Sequence, residues 1–211
     1  MKYMETYNLA VITKKIYDSK INLFTIRALK DLIEVKKEST FFDILRRLLK
    51  NEVLLKVEKG KYLLKGVKIH DFTLANFIYQ PSYISFESAL NFYGILSQFP
   101  YEIASSTSKK TAQKTIEGKS FVYIHIKKDL FWGYEKNNNF LIALPEKALL
   151  DQMYLASKGL RSLSLDEYDF SRINTKKFQE FLIKYPQTRQ FTKIVGQIKN
   201  CLLYTSPSPR D

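Results

Sequence analysis

Apolar positions recur along this chain at two periods, one of three to four residues and one of two, and the switch between them predicts its elements. Leu9, Ile12 and Ile16 carry the stripe of an amphipathic helix. Ile26, Leu29, Leu32 and Ile33 repeat that spacing and predict a second helix over Thr25 to Val35, with Asn22 and Thr25 as candidates to cap its entry. A polar turn, KKEST, follows, and its Ser39 and Thr40 are cap candidates for a third helix, FFDILRRLLK. There Phe41, Phe42, Leu45, Leu48 and Leu49 form the stripe to be buried, and Asp43, Arg46, Arg47 and Lys50 fall on the outer face. Val53 to Val57 and Lys61 to Leu64 then read as two short strands joined by EKGK, whose Gly60 suits a tight turn. Helix, helix, turn, basic helix and hairpin is the order of a winged helix-turn-helix.

The rest of the chain mixes the two periods. Asp71 to Tyr79 predicts a helix stopped before Pro81, and Ser85 to Tyr93 a second one that starts at Ser85. Glu102 to Thr107, Phe121 to Lys127 and Phe131 to Glu135 predict strands. The second of these alternates cleanly, with Phe121, Tyr123 and His125 on one side and Val122, Ile124 and Ile126 on the other. Asn137 to Asn139 reads as a turn, Phe140 to Leu144 as a buried strand, and Pro145 as the first residue of a helix through EKALLDQMYLAS. Helical spacing returns at Phe178, Phe181 and Leu182, and a last helix is expected over Gln190 to Asn200. The expected class is α+β: a winged helix-turn-helix over residues 1–66, then a mixed α/β domain with a helical C-terminal part over 67–200. The final eleven residues, CLLYTSPSPRD, match a transposon-based sequencing adapter translated in frame, so Cys201 to Asp211 is expected to be foreign sequence.

Charge sharpens this division. The formal net charge is +13, a balance that usually meets a polyanion. Residues 1–65 hold fifteen Lys and Arg against eight Asp and Glu, whereas residues 66–110 hold three of each, so the polyanion contact is expected in the first third. Residues 161–200, with eight against four, are the second candidate. Neither a signal peptide nor a membrane-length apolar run is present, so a cytoplasmic protein is expected. Outside the last eleven residues there is no cysteine, which excludes a disulfide framework or thiolate metal site there.

Chemistry concentrates on the third helix. A recognition helix needs one face to pack and another to reach the major groove, with Arg for guanine edges and Lys or hydroxyls for phosphates. Arg46, Arg47 and Lys50 suit that face, Ser39 and Thr40 the helix start, Lys36 and Lys37 the turn before it, and Lys59 and Lys61 the hairpin. An ordinary solvated face or a winged-helix protein-binding module would show the same residues. Stacking on RNA has one weak pattern, Phe121, Tyr123 and His125 with Lys127. The two histidines, His70 and His125, have no local acidic partner, and no phosphate-cradling glycine loop occurs. The hydroxyls and lysines of ASSTSKKTAQKT, Ala104 to Thr115, could hold a phosphate, although an exposed polar loop explains them as well. Asp129, Glu135, Glu146, Lys147 and Asp151 are the acidic group a metal-dependent nuclease would need. Glu146 and Lys147 point about 100° apart on a helix, however, and a carboxylate in a first turn already suits the dipole. No enzyme, cofactor or metal is expected.

Two blocks go further: PSYISFESALNFYGIL, Pro81 to Leu96, and ALPEKALLDQMY, Ala143 to Tyr154. With the strands around Phe121 to Tyr134 and the later SLDEYDFSRINTKKF, they resemble the AbiEi-type antitoxins of bacterial abortive-infection, type IV toxin–antitoxin systems. The likeness covers roughly residues 5–200 and is specific between Tyr79 and Tyr154. It implies an N-terminal winged helix-turn-helix that binds double-stranded DNA at inverted repeats upstream of its own operon and represses it, with self-association on DNA. It also implies a second domain with antitoxin activity in phage defence, directed against a nucleotidyltransferase toxin with which no stable complex is required. Residue by residue it carries over only Lys36, Lys37, Ser39, Thr40, Arg46, Arg47 and the hairpin lysines; the two blocks look like packing signatures.

Overall fold

The computed structural model describes residues 8–205, with side chains to Lys199. The chain is an α+β protein of two compact units, and it divides between His70 and Asp71.

In the first unit, α1 (Leu9–Asp18) starts at Asn8, whose side chain accepts the Ala10 N–H at 2.9 Å. A three-residue strand, β1 (Leu23–Thr25), precedes α2 (Ile26–Ile33). This strand is not expected from the sequence, since three residues are too few to show a period. Thr25 ends it and also caps α2, its hydroxyl accepting the Ala28 N–H at 3.2 Å. Asn22 plays no part in that cap; its carbonyl accepts the Leu64 N–H at 2.9 Å. Glu34 turns the chain out of α2 with φ +58°, its N–H still bonded to the Lys30 carbonyl. Then come α3 (Glu38–Lys50), β2 (Leu54–Glu58) and β3 (Lys61–Leu64), and the strands pair antiparallel in the order β1-β3-β2. Gly60, at φ +73°, makes the hairpin turn.

The core of this unit is wholly hydrophobic: Ile12, Ile16, Phe24, Leu29, Phe41, Ile44, Leu45, Leu48, Leu54, Tyr62 and Leu64 lie in one cluster. On α3 the buried stripe is Phe41, Ile44, Leu45 and Leu48, with Leu49 half-buried. Phe42 is therefore not part of it; one residue is 100° of helix, which carries its ring past the seam to the exposed side.

The second unit has a six-stranded mixed sheet in the order β6-β7-β5-β4-β9-β8. Its elements are α4 (Asp71–Ile78), β4 (Ser82–Ile84), α5 (Phe86–Phe92), β5 (Glu102–Thr107), β6 (Ala112–Ile116), β7 (Lys119–His125), β8 (Tyr134–Asn137), β9 (Phe140–Ala143), α6 (Pro145–Ala156), α7 (Thr175–Leu182) and α8 (Arg189–Thr205). The last helix begins one residue earlier than expected and continues through residues 201–205; residues 206–211 of the adapter-like tail lie outside the described part. The helix α6 is the hub, buried from Glu146 to Leu155.

Three strand expectations change. The stretch between the expected helices, Pro81 to Ser85, where no strand is expected, contains β4, a buried strand paired with β5 on one side and β9 on the other. The segment read as a polar loop contains the end of β5 and all but the last residue of β6, an outermost strand whose solvent side carries Gln113 and Thr115. The strand expected over Phe131 to Glu135 begins only at Tyr134, after a single 3-10 turn at Lys128–Leu130. Gly133 makes that shift, with φ +73° and a backbone so close to α6 that an added Cβ would meet side-chain carbons of Lys147 at 3.1 Å.

Candidate functional site

Charged pairs stand at the rim of the turn between α2 and α3. Lys30 on α2 donates to Glu38 at the start of α3 at 2.6 Å, which holds that carboxyl below its usual range. Lys15 on α1 pairs with Glu34 in the turn at 2.9 Å. Lys30 Nζ also lies 5.5 Å from the ring centres of both Phe41 and Phe42. The four-residue turn, Glu34 to Lys37, starts left-handed, and the buried stripe of α3 packs into the core, so its outer side is presented as a fixed face.

Ser39, Asp43, Arg46 and Lys50 follow one another by four, three and four residues and share that face, while Arg47 stands one step round. Arg46, Arg47 and Lys50 are all exposed. Arg46 donates to Asp43 at 2.9 Å, and both side chains are mostly in water, so the pair is weak and exchangeable. Lys36 and Lys37 are exposed in the turn, and Lys59 is exposed at the hairpin tip. Lys61, half-buried, opens β3 opposite Thr25 and Glu58. The hairpin tip is fixed as well: the Ile26 N–H donates to the Gly60 carbonyl at 2.8 Å.

One expected detail changes. Ser39 and Thr40 do not cap α3. The helix starts at Glu38, its cap residue is Lys37, and no side chain satisfies the first N–H groups. Ser39 and Thr40 lie inside the first turn, where a hydroxyl and the open N–H groups can both meet an anion. Glu38 sits there too, neutralised by Lys30.

In the second unit the two sequence blocks meet around a buried ion pair. Lys147 and Asp151, one turn apart on α6, contact each other with both side chains wholly buried. Asp151 also accepts hydroxyls from Tyr185 at 2.7 Å, Ser85 at 2.8 Å, Tyr83 at 3.0 Å and, more distantly, Ser106 at 3.4 Å. Lys147 donates to the Tyr83 hydroxyl at 2.9 Å and lies within 5.4 Å of the ring centres of Tyr83, Trp132 and Tyr185. Burial, reinforced by the Asp151 charge, holds the Tyr83 and Tyr185 phenols well above their usual range, whereas burial pushes the Lys147 ammonium down against the pull of Asp151. A sharp elbow delivers Ser85: it follows the last residue of β4, Ile84, and the next residue, Phe86, enters α5 with φ +54° while fully buried. A bulky residue is strained in that conformation.

The acidic group considered for metal chemistry does not converge. Asp129 and Glu135 are exposed, Asp151 is consumed by the buried network, and Glu146 accepts the Asn174 N–H at 3.0 Å. Among the described residues no three His, Cys, Asp or Glu come together. Phe121 and Tyr123 are buried, so their strand offers no aromatic stacking surface. Sequence reasoning passed over the Lys147–Asp151 pair because it compared Glu146 with its neighbour Lys147; the signal was the four-residue spacing of opposite charges on one face of a mostly apolar helix. No helix among the described residues is long and apolar enough to cross a membrane. No family model matches this chain, and neither does any curated protein.

Proposed function

We propose that this chain is a DNA-binding transcriptional repressor and antitoxin of the AbiEi kind, acting in the cytoplasm. The observation that carries the DNA reading is the exposed cationic face of α3, with Arg46, Arg47 and Lys50, set on a helix-turn-helix whose turn and hairpin are tied down. An α-helix fits the major groove, and arginines on its outer side can take guanine edges or phosphates, while lysines in the turn and hairpin reach flanking phosphates. The Asp43 carboxylate keeps Arg46 oriented until a base or phosphate replaces it.

The antitoxin part rests on the resemblance of Pro81 to Leu96 and Ala143 to Tyr154. In the second unit these blocks build a core rather than a reactive site, which suits a domain that acts by shape. Inverted repeats upstream of its own operon are the expected operator, and a nucleotidyltransferase toxin the functional partner.

Fluorescence anisotropy of the protein on its upstream DNA and on a scrambled duplex, at two salt concentrations, tests the reading. The upstream duplex is expected to bind tighter. Arg46→Ala with Arg47→Ala should lose roughly 2 to 6 kcal/mol if both read bases, or flatten the salt slope if both touch phosphate. Equal, salt-labile binding to both duplexes, unchanged in the variant, would remove α3 from the site.

A further inference from the structure

The lysine- and hydroxyl-rich segment after β5 occupies an unusual place in the sheet. The strand β7 runs between β5 and β6, with Thr107 beside His125 on one side and Ala112 beside Tyr123 on the other. Ser108 to Thr111 must therefore arch over the end of β7. His125 is the post on which the arch rests: its Nδ1 meets the Lys109 carbonyl at 2.9 Å, and its backbone N–H donates to the Thr111 hydroxyl at 3.1 Å. A carbonyl only accepts, so Nδ1 carries the hydrogen in that bond. From the end of α4, the Tyr79 hydroxyl donates to the Lys110 carbonyl at 2.9 Å, and Lys109 Nζ lies 5.7 Å from the Tyr79 ring centre. The Lys109 N–H is held by the Thr107 hydroxyl at 3.1 Å.

The backbone of the arch is thus pinned at several points, which is more order than a solvated turn requires. Between these residues lies an open hollow of about 680 Å³, lined by Tyr79, Ser108, Lys109, Lys110, Thr111 and His125. The lining holds two lysines, an imidazole and two aliphatic hydroxyls, and no carboxylate. The Thr111 hydroxyl accepts from the His125 N–H, which leaves its own proton to donate. Cations and donors gathered without a counter-charge on a rigid frame call for an anion with several acceptor oxygens. The hollow is larger than a lone phosphate needs, and one wall is an aromatic ring.

We propose that this hollow binds the phosphate of a nucleotide, with Lys109 and Lys110 as the charge pair and Ser108 and Thr111 as hydroxyl donors. The nucleotide is either free or the phosphorylated end of a nucleic acid strand. The site belongs to the second unit alone and does not depend on how α3 acts.

The chain has two histidines, one in each unit, so an imidazole ¹H–¹⁵N spectrum separates the site from a built-in control. Adenosine monophosphate, or failing that a 5′-phosphorylated oligonucleotide, is expected to shift the His125 resonances and not those of His70. Adenosine and the same oligonucleotide without its phosphate should shift neither. Isothermal titration of the effective probe should weaken by about tenfold or more in Lys109→Ala with Lys110→Ala. The equally charged control, Lys176→Ala with Lys193→Ala, should bind like the parent. A response to the oligonucleotide alone identifies a strand end as the source. The proposal is overturned if neither phosphorylated probe moves His125, if the unphosphorylated oligonucleotide moves it equally, or if the control pair weakens binding as much.

Discussion

The two units solve the same problem, making a core, with different materials. In the first, every buried side chain of the central cluster is hydrophobic and the charges stand at the rim, on the α3 face, the turn and the hairpin. In the second, α6 carries a lysine and an aspartate into the centre, and hydroxyls from β4, the residue after it, β5 and the segment before α8 donate to the aspartate. A hydrophobic cluster accepts substitutions of similar size and shape, because its attraction has no direction. A buried carboxylate with several donors accepts almost none, because each donor would be stranded by its loss. The first unit therefore keeps its distinctive residues outside, where they can meet a ligand, and the second keeps them inside, where they specify one packing. The blocks Pro81 to Leu96 and Ala143 to Tyr154, read from the sequence as packing signatures, accordingly lie mostly in that core.

The comparison breaks most easily at Asp151. Replacing it by Ala leaves the Lys147 ammonium and the hydroxyls around it buried without their acceptor, and should cost about 3 to 5 kcal/mol. Trp132, the only tryptophan of the chain, packs on Phe181 and Tyr185 and reports the loss by its fluorescence during denaturation. Lys147→Met should cost less, since Asp151 keeps its hydroxyl donors. If the lysine change proved the more damaging, the carboxylate would not be the organiser.

Leu48→Ala is the matching change in the first unit, at a fully buried position of α3. It should cost about 2 to 5 kcal/mol through lost burial and the cavity left behind. Faster amide hydrogen exchange should appear in α1 to α3, while the β5 and β7 amides keep their protection. Equal loosening of both units would contradict their separation into two cores.

The smallest of the three effects is at Thr25, whose hydroxyl caps α2. Thr25→Ala should cost about 1 kcal/mol, and Thr25→Ser very little. Chemical denaturation followed by circular dichroism would show it, and an equal loss in both variants would mean that the methyl group, not the cap, matters at that position.

Much of the fold can be read from the chain, and the gaps have physical causes. The eight α-helices among the described residues and the strands β2, β3, β5, β7 and β9 follow from periodicity, Pro145 and Gly60. The strands β1 and β4, of three residues each, are shorter than any period, and β6 is polar because one side faces water. Phe42 was assigned to the core because its residue type suits a core, whereas its angle around α3 does not. The candidate DNA-contacting side chains were legible one by one, but the Arg46–Asp43 pair and the neutralised Glu38 at the helix start were not.

The sequence by itself determined the α+β class, the order of the longer elements and the concentration of positive charge in the first third, because repeat spacing and net charge are local properties of the chain. Only the tertiary structure decided that Lys147 and Asp151 are buried, that Tyr185 donates to a carboxylate thirty-four positions away, and that Ser108 to Thr111 arch over His125. Each of those facts depends on which helices and strands lie side by side. Strand neighbours are chosen by the summed packing of the whole unit, so no single stretch of sequence records them.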